Sequence, residues 1–340
     1  MSEESFNSFA AADGSPESTR AELRELIERL RHASEHLPKE RTGHHDLKLL
    51  SRAIRELRRA FAVFEPYRKQ RKVTIFGSSR TPRDAPAYQQ AEALGRAMVE
   101  SGWFVVTGAA TGIMEAGHRG AGRDHSMGLN IMLPFEQESN EIIRGDAKLV
   151  TMKYFFTRKL MFVKECDAVV CLPGGFGTLD EAFEVLTLMQ TGKRELMPFV
   201  LLDPPGGKFW RDWLSFIEND LLAGGMISRD DLSLLLITDS VDETVADVER
   251  FYRVFHSMQY IPDRLMFRLR RRPTGEQLAK LDREFADILT DGKFELLGDA
   301  ASGESDDPEI ASLARLAFRF NRRNHGRLRK LVDWINAEVR

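Results

Sequence analysis

Nine consecutive residues, Pro173-Gly174-Gly175-Phe176-Gly177-Thr178-Leu179-Asp180-Glu181, gather the groups best suited to chemistry in this chain of 340 residues. They close an apolar stretch, residues 168–172, and open an amphipathic one, so the segment reads as a strand, a glycine turn and a helix start. Glycines let backbone come close to a ligand, and the first N–H groups of a helix, at the positive end of its dipole, favour an anion. A phosphate is the natural occupant, held by Gly174, Gly175, Gly177 and the Thr178 hydroxyl. The spacing is neither G-x-G-x-x-G nor G-K-[ST], so neither of those mechanisms transfers. Asp180 and Glu181 fall in the first helical turn, where the dipole favours a carboxylate that a phosphate would repel; one of them must face elsewhere in the site. A tight turn with two solvated acids would have the same sequence, and the rest of the chain has to decide.

Further candidates lie upstream. Arg158-Lys159 fall at the start of a predicted helix, where cations oppose the macrodipole and call for an anionic partner. Gly77-Ser78-Ser79-Arg80 follows a predicted strand at residues 73–76. A second small-residue turn, Thr107-Gly108-Ala109-Ala110-Thr111-Gly112, follows another at 103–106 and leads into Ile113-Met114-Glu115. In an open α/β sheet, turns at the carboxyl ends of strands meet at the switch point of the strand order. Gly77, Ser78, Gly108, Thr111, Gly112, Glu115 and Lys159 therefore join the phosphate turn as candidate substrate-binding residues.

These turns are positioned by strands alternating with helices from residue 72 onward, the pattern of a parallel sheet covered on both faces. Further strands are predicted at residues 129–133, 148–152, 168–172, 198–202 and 234–237, with helices at 88–101, 209–222 and 241–255. Upstream, Leu23, Leu26, Ile27 and Leu30, then Leu50, Ala53, Ile54, Leu57, Phe61 and Phe64, recur at helical spacing and predict a helical hairpin over 19–70 behind a disordered stretch, 1–18. Downstream, Leu265, Phe267 and Leu269 alternate with polar neighbours; helices at 278–289 and 328–335 and strands at 294–297 and 316–320 complete a βαββα order. The expected class is α/β: a Rossmann-like, doubly wound, mainly parallel sheet over residues 71–260 and a small α+β unit over 261–340. Polar residues 135–140 are expected to overhang the cleft, and residues 298–309 form an acidic loop.

Composition narrows the function. A net charge of −3 gives no overall bias toward nucleic acid or membrane, and the C-terminal arginines lack the aromatic platform of an RNA-binding sheet. Cys166 and Cys171 flank one strand and offer neither a disulfide framework nor a four-ligand metal site. No apolar run approaches a membrane span and no basic, apolar leader opens the chain, so a cytoplasmic location is expected. A nicotinamide enzyme would want an acid ending the second strand, and Thr107-Gly108 supplies none.

With Arg158-Lys159 upstream of Pro173-Gly174-Gly175-x-Gly177-Thr178-x-x-Glu181, the core resembles the Lonely Guy family of nucleoside-monophosphate phosphoribohydrolases, many of which once carried the label lysine decarboxylase. The resemblance implies hydrolysis of the N-glycosidic bond of a nucleotide such as AMP, without cofactor or metal, by a homodimer or higher homo-oligomer with active sites near the subunit interface. It also implies that Glu181 stabilises the oxocarbenium-like transition state while holding or deprotonating water, and that Arg158 orients that carboxylate or the ribose. Two positions depart from the pattern: Gly108-Ala109-Ala110 with Met114-Glu115 stands where cytokinin-activating members have three glycines and M-G, as in bacterial nucleotide nucleosidases, and Phe155 stands where a methionine is common. A decarboxylase would need a pyridoxal phosphate Schiff base, for which Lys159 is the one motif lysine, with no pyridinium partner near it. A non-catalytic nucleotide sensor would use the same phosphate cradle, and turnover separates the two.

Overall fold

The computed structural model describes residues 16–134, 138–298 and 308–339. Most of the expected disordered start, residues 135–137 of the polar loop and most of the acidic loop lie outside the described residues. Two helices, α1 (Pro16–His36) and α2 (His44–Phe64), precede the sheet strands. Next come β1 (Lys72–Phe76), α3 (Pro86–Glu100), β2 (Phe104–Thr107), α4 (Ile113–Ala121), β3 (Ser126–Ile131), β4 (Leu149–Met152), α5 (Phe155–Glu165) and β5 (Ala168–Cys171). They are followed by α6 (Phe176–Gln190), β6 (Phe199–Leu202), α7 (Phe209–Phe216), β7 (Leu236–Thr238) and α8 (Val241–Phe251). The C-terminal part contains β8 (Phe255–Ile261), β9 (Arg264–Leu269), α9 (Gly275–Glu284), β10 (Glu295–Leu296), α10 (Pro308–Ala311), β11 (Ala314–Phe318) and α11 (His325–Glu338). No helix among the described residues is long and apolar enough to cross a membrane.

The chain forms two compact units. One, Glu56–Tyr252 with Arg322–Asn336, holds seven parallel strands in the order β4-β3-β2-β1-β5-β6-β7. Strand β1 is buried at all five positions, as a central strand covered on both faces must be, and pairs Val73 with Val105 on one side and Ala168 on the other. The order reverses direction between β1 and β5, which is where a doubly wound sheet leaves its crevice. Val73, Ile75, Leu94, Met98, Val105, Ile113 and Val170 centre the core.

Helix α2 turns Ala53, Glu56, Ala60 and Phe64 inward and leaves Ile54 and Phe61 exposed, a rotation that the apolar spacing alone does not give. Its cause is polar. The Glu56 carboxylate accepts from Lys153 N and Thr157 Oγ1, both at 2.9 Å, and so stands at the first turn of α5, where a negative charge is favoured. On α1, Leu23, Leu26, Ile27 and Leu30 are all more than half exposed.

The second unit comprises Met1–Arg55, Arg253–Asn321 and Ala337–Arg340. Its sheet is antiparallel in the order β10-β11-β9-β8, one strand more than the βαββα order. The sequence reading runs the preceding helix through residue 255, whereas α8 stops at Phe251 and β8 begins at Phe255. Edge-to-face rings fill one sheet face, Phe267 lying 5.0 Å from Phe255 and 5.2 Å from Phe318.

Two features of the first unit fix the turn after β2. Helices α3 and α4 cross backbone to backbone: a Cβ at Gly120 would sit 1.9 Å from Glu92 O. Beneath α4, fully buried His118 carries its proton on Nε2, donates to Met127 O (3.0 Å) and lies 3.1 Å from Thr107 Oγ1, while its Nδ1 accepts from Asn140 Nδ2 (3.2 Å). Asn140 returns two bonds to the turn, from its N to Ala109 O and its Nδ2 to Ala110 O. These contacts hold Ala109 at φ 58°, a left-handed conformation that disfavours a side chain.

Two predictions follow from this packing. Gly120→Ala forces the helices apart and should destabilise the protein by about 2–3 kcal/mol, the scale of core overpacking, read as a lower denaturation midpoint; an unchanged midpoint would refute the close crossing. Burial pushes the His118 pKa down from 6.5 to about 4. The unfolded chain therefore binds this proton first, and stability present above pH 6.5 is lost as pH falls toward 4, on the order of 3 kcal/mol in all. In unfolding series at stepped pH, the advantage of wild type over His118→Gln should shrink across that window; a constant gap from pH 7 to 4.5 would contradict this.

Candidate active site

The turns after β1, β2 and β5 open onto one cavity of about 750 Å³. Its lining includes Gly77, Ser78, Gly108, Arg158, Gly174, Gly175, Gly177, Thr178 and Glu181, nine of the thirteen residues singled out from sequence. The turns after β1 and β5 touch, Ser78 N donating to Pro173 O at 3.2 Å. Gly174 is the close approach: a Cβ there would lie 2.2 Å from Thr178 Oγ1 and 3.0 Å from Ser78 N. Helix α6 starts immediately beyond, with Gly175 O accepting from Thr178 N and Leu179 N at 3.0 and 3.1 Å. The N–H groups of Phe176 and Gly177, ahead of the first intrahelical bonds, point out of the helix start with no acceptor in the preceding turn. A Cβ added at Gly175 or Gly177 would meet nothing within 4 Å.

The two acids of the motif part company. Glu181 is 4% exposed and lines the cavity, while Asp180 is exposed and forms a 2.9 Å ion pair with Lys159. Burial raises the Glu181 pKa above the ordinary carboxylate value, with Lys159 and Arg158 pulling the other way. Its Oε2 is buried with no hydrogen-bond donor, and Lys159 Nζ stands 3.6 Å away, at ion-pair range. Arg158 also lines the cavity, with its guanidinium over the rings of Phe155 (5.0 Å) and Phe162 (5.6 Å). Burial pulls its pKa down against the attraction of Glu181 and Asp180, and its Nε has no acceptor. A buried acceptor and a buried donor, both unsatisfied within hydrogen-bonding distance, thus lie at one cavity beside a helix N-terminus.

Four sequence candidates do not line the cavity. Lys159 sits among Asp180, Glu181 and Glu184 and balances their charge. Thr111 donates from Oγ1 to Ser79 O at 2.9 Å, and Gly112, at φ 65°, brings the backbone against Ser78 O and Ser79, so this pair braces the turn after β1. Glu115 is buried, paired with Arg83 and Arg119, and accepts from Tyr88 Oη at 3.1 Å. Conversely, Ser79, Arg80, Met114, Phe162 and Phe209 line the cavity without having been chosen. Arg80 ends a turn that the sequence did mark; Phe209 is the first residue of α7, and nothing in the local sequence points to it. Among the described residues, no cluster of three or more His, Cys, Asp or Glu side chains is arranged to hold a metal ion.

Comparison with known proteins agrees with these motifs. The family described as "Possible lysine decarboxylase" matches residues 107–248. The cytokinin riboside 5'-monophosphate phosphoribohydrolase of Mycobacterium marinum is 30% identical over 167 residues, 48% of this chain and 86% of its own. The enzyme of that name, LOG, from Oryza sativa subsp. japonica is 28% identical over 187 residues, 53% of this chain and 74% of its own. Among solved structures, the molybdenum cofactor carrier protein of Chlamydomonas reinhardtii aligns with 53% of this chain and 97% of its own at 19% identity and a TM-score of 0.35. On the match across most of the mycobacterial relative, with the Arg158-Lys159 pair and the Pro173–Glu181 motif in place, the chain belongs to the Lonely Guy family.

Proposed function

We propose that the protein hydrolyses the N-glycosidic bond of a nucleoside 5'-monophosphate, AMP or a related nucleotide, to the free base and ribose 5-phosphate. The observation that carries this reading is the buried Glu181 carboxylate in the same cavity as the open helix start at Gly175–Thr178. The 5'-phosphate sits on the backbone N–H groups there and on the Thr178 hydroxyl, which anchors the ribose so that C1' faces Glu181. As the bond to the base breaks, positive charge grows on the ribose ring, and a carboxylate with little solvent around it stabilises that charge strongly. Glu181 takes a proton from water, the hydroxyl joins C1', and the base leaves with one proton gained overall. Arg158 holds the ribose hydroxyls or the carboxylate in register. Apolar Met114, Phe162 and Phe209 furnish a wall for the base.

A homo-oligomer with the cavity near its interface is supported by apolar side chains left in water: Phe155 at 53%, Phe156 at 51% and Phe176, a cavity-lining residue, at 94% exposure. Soluble proteins bury such patches against partners.

Turnover of a panel of nucleoside monophosphates, followed as free base and ribose 5-phosphate, tests the activity and separates an enzyme from a sensor. Glu181→Gln and Arg158→Ala should each lower kcat by about 10²–10⁴-fold while nucleotide affinity survives better. Because the carboxylate must be ionised and its pKa is raised, the wild-type rate should fall on the acid side at a pH above the ordinary carboxylate range; the residual rate of Glu181→Gln should show no such limb. Equal rates in wild type and Glu181→Gln would remove the carboxylate from the mechanism.

The phosphate cradle makes a second demand. Adenosine, which cannot use it, should show a kcat/KM at least about 10²-fold below that of AMP. Comparable values for the two would take the phosphate away from Gly174–Thr178.

A further inference from the structure

The charge at the cavity does not balance a nucleotide. A 5'-phosphate brings a charge of about −1.5 to −2 near neutral pH, whereas a helix start offers the equivalent of roughly half a positive charge. Two cationic side chains line the cavity, Arg158 and Arg80. Arg158 is assigned to the ribose and Glu181: it lies over the Phe155 and Phe162 rings, its charge is attracted by Glu181 and Asp180, and its Nε is left without an acceptor. Lys159, the motif's other cation, lies outside the cavity lining and is spent on Asp180, Glu181 and Glu184.

Arg80 is different. It is exposed, it lines the cavity, and its guanidinium makes no ion pair or hydrogen bond with any described residue. Its backbone is nevertheless fixed. Arg80 N donates to Ser78 Oγ at 3.1 Å, Ser78 N to Pro173 O, Ile113 N to Ser78 O, and Thr111 Oγ1 to Ser79 O. The residue therefore sits two positions beyond the point where the turn after β1 meets the glycine turn that opens α6. Arg80 shares the cavity lining with Gly174, Gly175 and Gly177 at the helix start. The lining contains no carboxylate other than Glu181, so nothing at that end competes for the charge.

We propose that Arg80 is the phosphate cation of this site: it closes over the 5'-phosphate bound at the start of α6 and supplies the charge that the backbone donors lack. The inference rests on the cavity being a nucleotide site. A planar guanidinium gives two parallel N–H donors to a phosphate, so the contact is specific in geometry as well as in charge. It is made equally in the ground and transition states, because the phosphate does not react, and it therefore governs binding rather than the chemical step.

The test uses the full-length protein, Arg80→Ala and Arg80→Lys, with two readouts. Calorimetric titration with ribose 5-phosphate measures the phosphate subsite without turnover; steady-state hydrolysis of AMP measures the site at work. Arg80→Ala should weaken ribose 5-phosphate and raise the KM for AMP by at least about tenfold, the scale of a lost charge-assisted bond, with kcat within about threefold of wild type. Arg80→Lys should recover part of that loss, and the salt dependence of binding should be shallower in Arg80→Ala than in wild type. An unchanged ribose 5-phosphate Kd in Arg80→Ala overturns the proposal, and so does a loss confined to kcat. If the wild type hydrolyses none of the monophosphates, the proposed activity fails, while the ratio of ribose 5-phosphate affinities still decides the role of Arg80.

Discussion

Strand β5 pairs with β1, setting Phe76 beside Cys171, and the turns leaving the two strands meet through one bond from Ser78 N to Pro173 O. That adjacency is a constraint on everything at the cavity. It puts a glycine turn, a serine turn and a helix start around the same space although about a hundred residues separate them in the chain. Gly174 tolerates no side chain because Thr178 and Ser78 already occupy the volume a Cβ would need. The turn after β2 reaches the same space from the other side, held by His118 and Asn140 in a conformation that strains Ala109. The sheet thus creates the site by topology, and local bonds then fix its shape.

The electrostatics follow from burial. Glu181 is almost wholly kept from water and its Oε2 from any hydrogen-bond donor, so its charge costs free energy. Lys159 and Arg158 reduce that cost without saturating the carboxylate. Asp180, one residue earlier, shows what the alternative looks like, solvated and paired at the surface. One helical step of about 100° separates a reactive group from a charge that merely balances a lysine.

Much of this was legible in the sequence. Strands buried on both faces read as apolar runs, so β1, β5 and β6 were placed within a residue or two, and the glycine turns marked where the cavity would be. The sequence starts β3 three residues late because the strand opens on Ser126-Met127-Gly128, where a polar residue and a glycine flank one apolar side chain, yet all three are buried, Ser126 Oγ donating to Gly122 O at 2.7 Å. The inward face of α2 was misread for a related reason: a carboxylate sets its orientation, and hydrophobic spacing is blind to that. Strand β8 is missing from the sequence reading, which carries the preceding helix past Tyr252 to Phe255, the first residue of the strand. Within the site, glycines and charged pairs announce themselves, whereas Phe209 and Phe162 carry no signal, since an apolar wall looks like any other core residue until the chain is folded.

The Glu56 carboxylate carries a consequence of a different kind. It holds Lys153 N and Thr157 Oγ1, and Thr157 directly precedes Arg158. Arg158, a cavity-lining residue, is therefore tethered, one peptide away, to a helix that contributes nothing to the cavity lining. A buried carboxylate outside the cavity lining thus anchors the first turn of α5, so the position of a cavity residue rests on a charge that the cavity itself never touches.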